Sequence, residues 1–374
     1  MKVPLSHLRE NSINIAAYID DLIVFADSAE QCLEHCNTAI LTLQKLGYVV
    51  NFQKSMLKPT QKIEHLGLIL DSVNMTVSLN SDKHNNIIKL CKSMLGTENP
   101  TIRSVAKLIG TMISYLPGVE FGKMHYRQLE HCKIEALKYA KGNFNSNMIL
   151  SKQAIEDIHW WIHNVKSQTS HIIKPTPTVF ISTDSSGTMW GTVRDTHKTG
   201  GCWDKIEQQE HIYCLEIKAV LLVLQALCDD CIDKHIRVKS DNSTTVHYIN
   251  EMGGSKSYKC NLTAIQIWQW AIERHIWLSI EHVAGALTQE ADFESREGNN
   301  SGEWALSQIT LKTIADIFKV TPTIDLFASR INFKVNKFVS WFADPLTFKT
   351  DIYFSNEIFY AYPPINCIQR FLQK

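Results

Sequence analysis

The chain has no excess of either charge: 38 Lys and Arg balance 38 Asp and Glu over 374 residues. Bulk attraction to nucleic acid is thereby excluded, and any phosphate binding must come from local patches. No run approaches the roughly 20 apolar residues that a membrane-spanning helix needs. The N-terminus, Met1-Lys2-Val3-Pro4-Leu5-Ser6-His7, lacks the apolar core of a signal peptide. No membrane partner is expected, and a cytoplasmic or nuclear location is. Ten cysteines are scattered without a spaced framework, which suits a reducing compartment. Cys228-Asp229-Asp230-Cys231 has no second pair to complete a zinc site, so these cysteines read as structural. What remains is an ordinary globular composition, 44% hydrophobic and 20% charged, long enough for two or three domains.

Within that composition four acids stand in apolar settings. Val179-Phe180-Ile181-Ser182-Thr183-Asp184 reads as a strand by its period of two, with Phe180, Ser182 and Asp184 on one face. Asp241 closes the similar run Ile236-Arg237-Val238-Lys239-Ser240-Asp241. Glu216 lies on a predicted helix in line with Val220, Val223 and Leu227, an otherwise apolar stripe, and Glu is rarely buried without a partner. Asp292 follows Ala291 downstream of His282. Taken singly, Asp184 could serve a turn and Asp241 could cap the helix beginning at Asn242-Ser243-Thr244. Brought together by a fold, the four would form a site for divalent metal.

Toward the N-terminus, Ile13 to Tyr18 and Leu22 to Ala26 read as strands joined at Asp20-Asp21, either a plain hairpin or a metal-holding tip. Ser28 and Gln31 start a helix whose apolar stripe is Leu33, Cys36, Ile40, Leu43 and Leu46, ended by Gly47. Tyr48 to Phe52, Ile63 to Leu70 and Met75 to Leu79 read as further strands. Lys45, Lys54, Lys58 and Lys62 fall in a stretch free of acids, which is either a solvated face or a phosphate contact. Residues 81–166 are mostly helical by pattern, with breaks near Thr97-Glu98-Asn99-Pro100 and Leu116-Pro117-Gly118. Trp160-Trp161 suits a core or docking surface, and Pro175-Thr176-Pro177 is the best linker.

The order strand-Asp184, helix-Glu216, strand-Asp241, then Asp292 after a His-x-x-Gly segment resembles the ribonuclease H domain of retroelements. More closely, the chain resembles the reverse transcriptase–ribonuclease H protein of DIRS-type retrotransposons. The runs that carry this likeness are Tyr18-Ile19-Asp20-Asp21, Leu46-Gly47-Tyr48, His65-Leu66-Gly67, Ser240-Asp241-Asn242, Ala291-Asp292 with Ser295-Arg296, and Ile324-Asp325-Leu326-Phe327-Ala328-Ser329-Arg330. The resemblance implies a multidomain α/β and α+β chain. Residues 1–79 would be a partial polymerase palm and 80–175 a helical thumb and connection. Residues 176–300 would be a ribonuclease H-like mixed sheet with flanking helices. Residues 301–374, with Tyr360-Ala361-Tyr362-Pro363-Pro364, would be the remnant of a methyltransferase-like tail, since no Gly-rich cofactor loop accompanies them.

Two departures from the family pattern lie before Asp292: Ala284 stands for Pro and Thr288 for Asn, which could loosen the last ligand. His282 is expected to be a strand-end residue and not a mobile catalytic histidine. The resemblance further implies hydrolysis of RNA in RNA–DNA hybrids with Mg²⁺ or Mn²⁺, using two ions roughly 3.5–4 Å apart. Asp184 would bridge the ions, Glu216 and Asp241 would lie on one side and Asp292 on the other. Asp20 and Asp21, beside Tyr18, would be metal ligands of the polymerase motif. Lys45, Lys54, Lys58 and Lys62 would touch the primer–template backbone, and Asn242 with Glu216 would reach the RNA 2′-hydroxyls. A catalytically inactive nucleic-acid-binding remnant is the alternative. Seventeen residues precede Tyr18 and none is Asp, so primer extension by this chain alone is not expected, whereas residues 178–306 are expected to cut hybrids alone.

Overall fold

The computed structural model describes residues 2–296, 305–340, 342–348, 358–363, 368, 369 and 371. The chain forms two compact units, Met1–Ile173 and Lys174–Lys374, and is a mixed α/β multidomain protein. The expected boundary at residues 300 and 301, and Pro364 of the proline pair, lie outside the described residues.

The first unit opens with helix α1 (Lys2–Glu10) and an antiparallel hairpin, β1 (Asn14–Tyr18) and β2 (Asp21–Phe25). Tyr18 pairs with Asp21, so the turn residues are Ile19 and Asp20, one position earlier than the sequence suggests. Helix α2 (Ala29–Lys45) starts where the Ser28 hydroxyl accepts the Gln31 N–H at 3.2 Å. It ends in a Schellman motif, with Gly47 at φ +83° and hydrogen bonds from Gly47 N to Gln44 O and from Tyr48 N to Leu43 O. Its buried residues are Ala39 and Leu43, while Leu33 and Leu46 are exposed. The expected stripe is corrected to a narrower one, because Ala39 of α2 joins only a small cluster with Leu5, Leu8, Ile13 and Ile15.

Tyr48 to Phe52 form no strand; the chain turns at Asn51, whose carbonyl and side-chain oxygens both accept Lys54 N at 3.2 Å. Ile63 to Leu70 is two strands and not one. β3 (Lys62–His65) and β4 (Leu68–Asp71) fold back at Leu66 and Gly67, with φ +55° and +71°, the two positive values a tight hairpin turn requires. β5 (Thr76–Leu79) and the short β6 (Ser170–His171) complete this antiparallel sheet. Between them stand α3 (Ser81–Leu95), α4 (Ile102–Tyr115), α5 (Arg127–Tyr139) and α6 (Lys152–Asn164), capped by Asn80, Thr101 and Ser151 at α3, α4 and α6. Their core includes Ile87, Leu108, Met112, Ile158 and Trp161. Trp161 is fully buried and donates to His125 O at 2.8 Å; Trp160 stacks on His125 at 4.0 Å.

The second unit is built on a five-stranded sheet. β7 (Val179–Ser185), β8 (Met189–Arg194) and β9 (His197–Cys202) run as an antiparallel meander. After α7 (Ile212–Leu227), β10 (His235–Ser240) pairs parallel with β7. After α8 (Ser243–Asn250) and α9 (Tyr258–Ile272), β11 (Trp277–His282) pairs parallel with β10. The order is β11-β10-β7-β8-β9, the mixed sheet with flanking helices that the sequence leads one to expect. Helix α10 (Gln289–Arg296) follows β11. It lies so close on the β8–β9 hairpin that a Cβ on Gly191 would come 2.4 Å from Ser295 N and 2.5 Å from Ala291 O.

Beyond it come α11 (Gln308–Phe318) and a small parallel sheet of β12 (Ile324–Leu326), β13 (Phe338–Val339) and β14 (Phe359–Ala361), ordered β13-β12-β14. Among the described residues no helix is long and apolar enough to cross a membrane.

Candidate metal centre

The last registered pair between β7 and β10 joins Ser182 to Lys239. Asp184 and Asp241 each lie two residues further along, so both reach the same level at the carboxyl ends of adjacent parallel strands. Helix α7 packs beside this end and carries Glu216 in its second turn, 5% exposed, with Val220 and Val223 buried below it. Asp184, Glu216 and Asp241 each present an oxygen within 4.8 Å of the others, the first two buried and Asp241 exposed. Asp241 caps nothing. Asn242 is the N-cap of α8 and accepts Thr244 N and Thr245 N at 3.0 and 3.1 Å, leaving the Asp241 carboxylate to the cluster. A side chain on Gly285 would come 3.1 Å from Asp241 Oδ2, so the loop after β11 approaches closely.

Burial, then the charges of Asp184 and Asp241, push the Glu216 carboxyl up to about 8. Asp184 is also raised, chiefly by burial, against a hydrogen bond from Ser295 that lowers it; the charges of Asp241 and Asp292 add to the rise. The Glu216 Oε2 atom is buried with no hydrogen-bond partner. Three converging carboxylates and an unpartnered buried oxygen are electrostatically costly without a cation, and an all-oxygen donor set suits a hard divalent ion such as Mg²⁺. The residues fit such an ion.

Asp292 stands apart from the trio. It lies in the first turn of α10, near enough for its charge to raise Asp184, but its Oδ1 takes Arg296 Nε at 2.6 Å. Thr288 is buried, and its main-chain oxygen accepts Asp292 N at 2.9 Å. Ala284 is exposed ahead of the Gly285 turn. His282 ends β11 opposite Ser240 and is exposed. Asp20 and Asp21 are exposed at the β1–β2 hairpin, with Tyr18 59% and Ile19 74% exposed, and no third metal-binding residue joins them among the described residues. Ile19 takes φ +54°, strained for a β-branched residue. Lys45, Lys54, Lys58 and Lys62 are all exposed; Cys228 and Cys231 are buried, with Asp230 Oδ1 3.7 Å from Cys231 Sγ, and among the described residues they form no group of three close metal-ligating side chains.

Sequence reasoning gave no role to Ser295 or to Gly191 and Gly200, although glycine within a strand marks a close backbone approach. Ser295 is fully buried and donates to Asp184 Oδ2 at 2.6 Å.

Fold and site together define a mixed-sheet α/β domain with a carboxylate cluster at the carboxyl ends of its central strands. No family model and no curated protein matches the chain. Among solved structures it is similar to the foamy viral protease-reverse transcriptase in complex with RNA/DNA hybrid, at 12% identity and a TM-score of 0.39, covering 82% of this chain and 39% of that one. The same viral protein with dsDNA gives 12% and 0.37, covering 75% and 57%. RNase H1 from the halophilic archaeon Halobacterium salinarum NRC-1 gives 17% and 0.27, covering 32% of this chain and 98% of that one. The chain thus spans less than two thirds of the reverse transcriptases it matches.

Proposed function

We propose that the second unit is a ribonuclease H-type endonuclease that hydrolyses the RNA strand of RNA–DNA hybrids, within a reverse transcriptase–ribonuclease H protein of a DIRS-type retrotransposon. The observation that carries this reading is the convergence of Asp184, Glu216 and Asp241 within 4.8 Å at the carboxyl ends of two adjacent strands. Bound there, Mg²⁺ or Mn²⁺ would supply Lewis-acid stabilisation of phosphate charge and a more acidic water.

The chain's own part is to hold three oxygens in one place and to keep one wall dry. Asp184 and Glu216 provide that buried wall, while exposed Asp241 opens the site to a polymer lying across the strand ends. Asp292 lies near enough for its charge to act on Asp184, and Arg296 balances that charge at 2.6 Å. The Asn242 carbonyl is spent on capping α8, so only its amide nitrogen is left to meet a 2′-hydroxyl.

A hybrid-binding protein that does not cut is the second reading, favoured by Asp292 lying outside the trio. One assay separates them. Labelled RNA annealed to DNA should be cut with Mg²⁺ and not with EDTA, and Asp241→Asn should lose several orders of magnitude in rate while keeping the fold. Equal cutting by mutant and parent would remove the cluster from the chemistry, and binding without cutting would establish the second reading.

A further inference from the structure

Ser295 is 0% exposed, and its hydroxyl lies 2.6 Å from Asp184 Oδ2 and 2.9 Å from the main-chain oxygen of Asp292. A hydroxyl has one proton. The charged carboxylate is the stronger acceptor, and 2.6 Å is the length of a charge-assisted O–H···O⁻ bond. The donor cannot drift, because the Ser295 backbone sits where a Cβ on Gly191 would be. Asp184 Oδ2 is therefore turned toward α10 and Oδ1 away from it.

We infer that Ser295 is a positioning residue that holds the Asp184 carboxylate in a one-oxygen presentation, and so sets the site's preference for a small, strictly octahedral ion. The inference rests on the metal-dependent reading above. Mg²⁺ demands near-ideal octahedral geometry, whereas Ca²⁺ accepts six to eight oxygens and chelation by both oxygens of one carboxylate. Without the Ser295 proton, Asp184 can rotate and offer both oxygens. Loss of a group that orients a metal ligand costs about 10–100-fold in affinity; here the loss should fall on Mg²⁺ and spare Ca²⁺.

The test is calorimetric titration of the full chain with MgCl₂ and with CaCl₂, for the parent, Ser295→Ala, Ser295→Cys and Asp184→Asn. Circular dichroism would establish that each variant is folded. Cysteine keeps the volume but is a weak donor, so it supports the reading if alanine proves poorly folded. The expected result is a fall of about tenfold or more in Mg²⁺ affinity with Ca²⁺ affinity kept or improved. An unchanged Mg²⁺-to-Ca²⁺ ratio, whether both affinities hold or both fall together, would leave Ser295 a packing residue and overturn the inference. Parent binding indifferent to Asp184→Asn would overturn the metal site and the inference together.

Discussion

Arg330 and Glu207, 123 residues apart, form a two-pronged ion pair almost wholly out of water. The nitrogen–oxygen distances are 3.0 and 2.9 Å, and the side chains are 9% and 6% exposed. The guanidinium also donates to Cys202 O at 2.8 Å and lies 5.5 Å over the Trp203 ring. Lys218 of α7, two residues from Glu216, reaches Glu207 at 2.7 Å. The segment after β12 is thus held against the end of β9 and the start of the helix that carries Glu216, and Thr199 adds a hydrogen bond to Ala343 O at 2.6 Å.

Breaking a buried pair from one side strands a charge and costs about 3–5 kcal/mol. Arg330→Met is expected at the low end of that range, since Lys218 still faces Glu207. The double variant Glu207→Met with Arg330→Met should lose less than the single one, because no buried carboxylate is stranded and Lys218, 29% exposed, can turn to solvent. Urea unfolding followed by tryptophan fluorescence checks both. A fragment ending at Leu306 lacks Arg330 altogether. It should be destabilised to a similar degree, which bears directly on whether residues 178–306 can act alone.

Glu216 makes stability depend on pH in a definite direction. Its carboxyl is raised from an ordinary value of 4.5 to about 8, first by burial and then by Asp184 and Asp241. Between those values the folded chain holds a proton that the unfolded chain has released, so folding stability falls as pH rises through the window. The contribution is fully present below about pH 4.5 and lost by about pH 8. Glu216→Gln cannot ionise, so its stability should fall less than the parent's between about pH 5 and about pH 8.5 in metal-free buffer. Saturating Mg²⁺ should flatten the parent's fall as well, since the bound ion favours the ionised form. Parallel curves for parent and variant would mean that Glu216 ionises normally.

The lysines at 45, 54, 58 and 62 carry a separate prediction about the first unit. If they contact phosphates, replacing all four with glutamine should reduce the log–log slope of duplex affinity against salt by about 0.9 per lost contact. Filter binding at several salt concentrations reads this directly, and an unchanged slope would make the patch a solvated surface.

Much of the second unit could be read from residue pattern, because its strands are buried and bounded. The period-two run ending at Asp184 and the apolar stripe through Glu216 led to the elements that bring the trio together. Where elements are only partly covered, pattern misled. Leu33 and Leu46 look like core residues of α2, yet they face solvent because little packs there. Ile63 to Leu70 looks like one strand because apolar residues stand on both sides of the Leu66–Gly67 reversal, at Ile63 and at Leu68 to Leu70. Ser295 and Arg296 carry no periodic signal at all. Their meaning depends on α10 crossing β8, a long-range approach marked in the sequence only by glycines inside strands.

That approach supports the last prediction. A methyl group at Gly191 would meet Ser295 N at 2.4 Å, Ala291 O at 2.5 Å and the Glu294 carbonyl carbon at 2.6 Å. These are backbone atoms of α10, and no side-chain rotation relieves the clash. Either the β7–β8 ladder, in which Gly191 pairs with Asp184, or the helix must move. Overpacking of this kind costs about 1–3 kcal/mol. The helix is the softer element, being eight residues long, so Gly191→Ala should lift it and carry Asp292 and Ser295 away from Asp184. Hydrogen exchange should quicken at residues 289–296 while the β10 and β11 amides stay protected, and hybrid cleavage should fall with it. Gly187→Ala is the control, since a Cβ there meets nothing within 4 Å. If Gly191→Ala exchanged like the control, α10 would not be packed against β8 as closely as the distances at Gly191 imply.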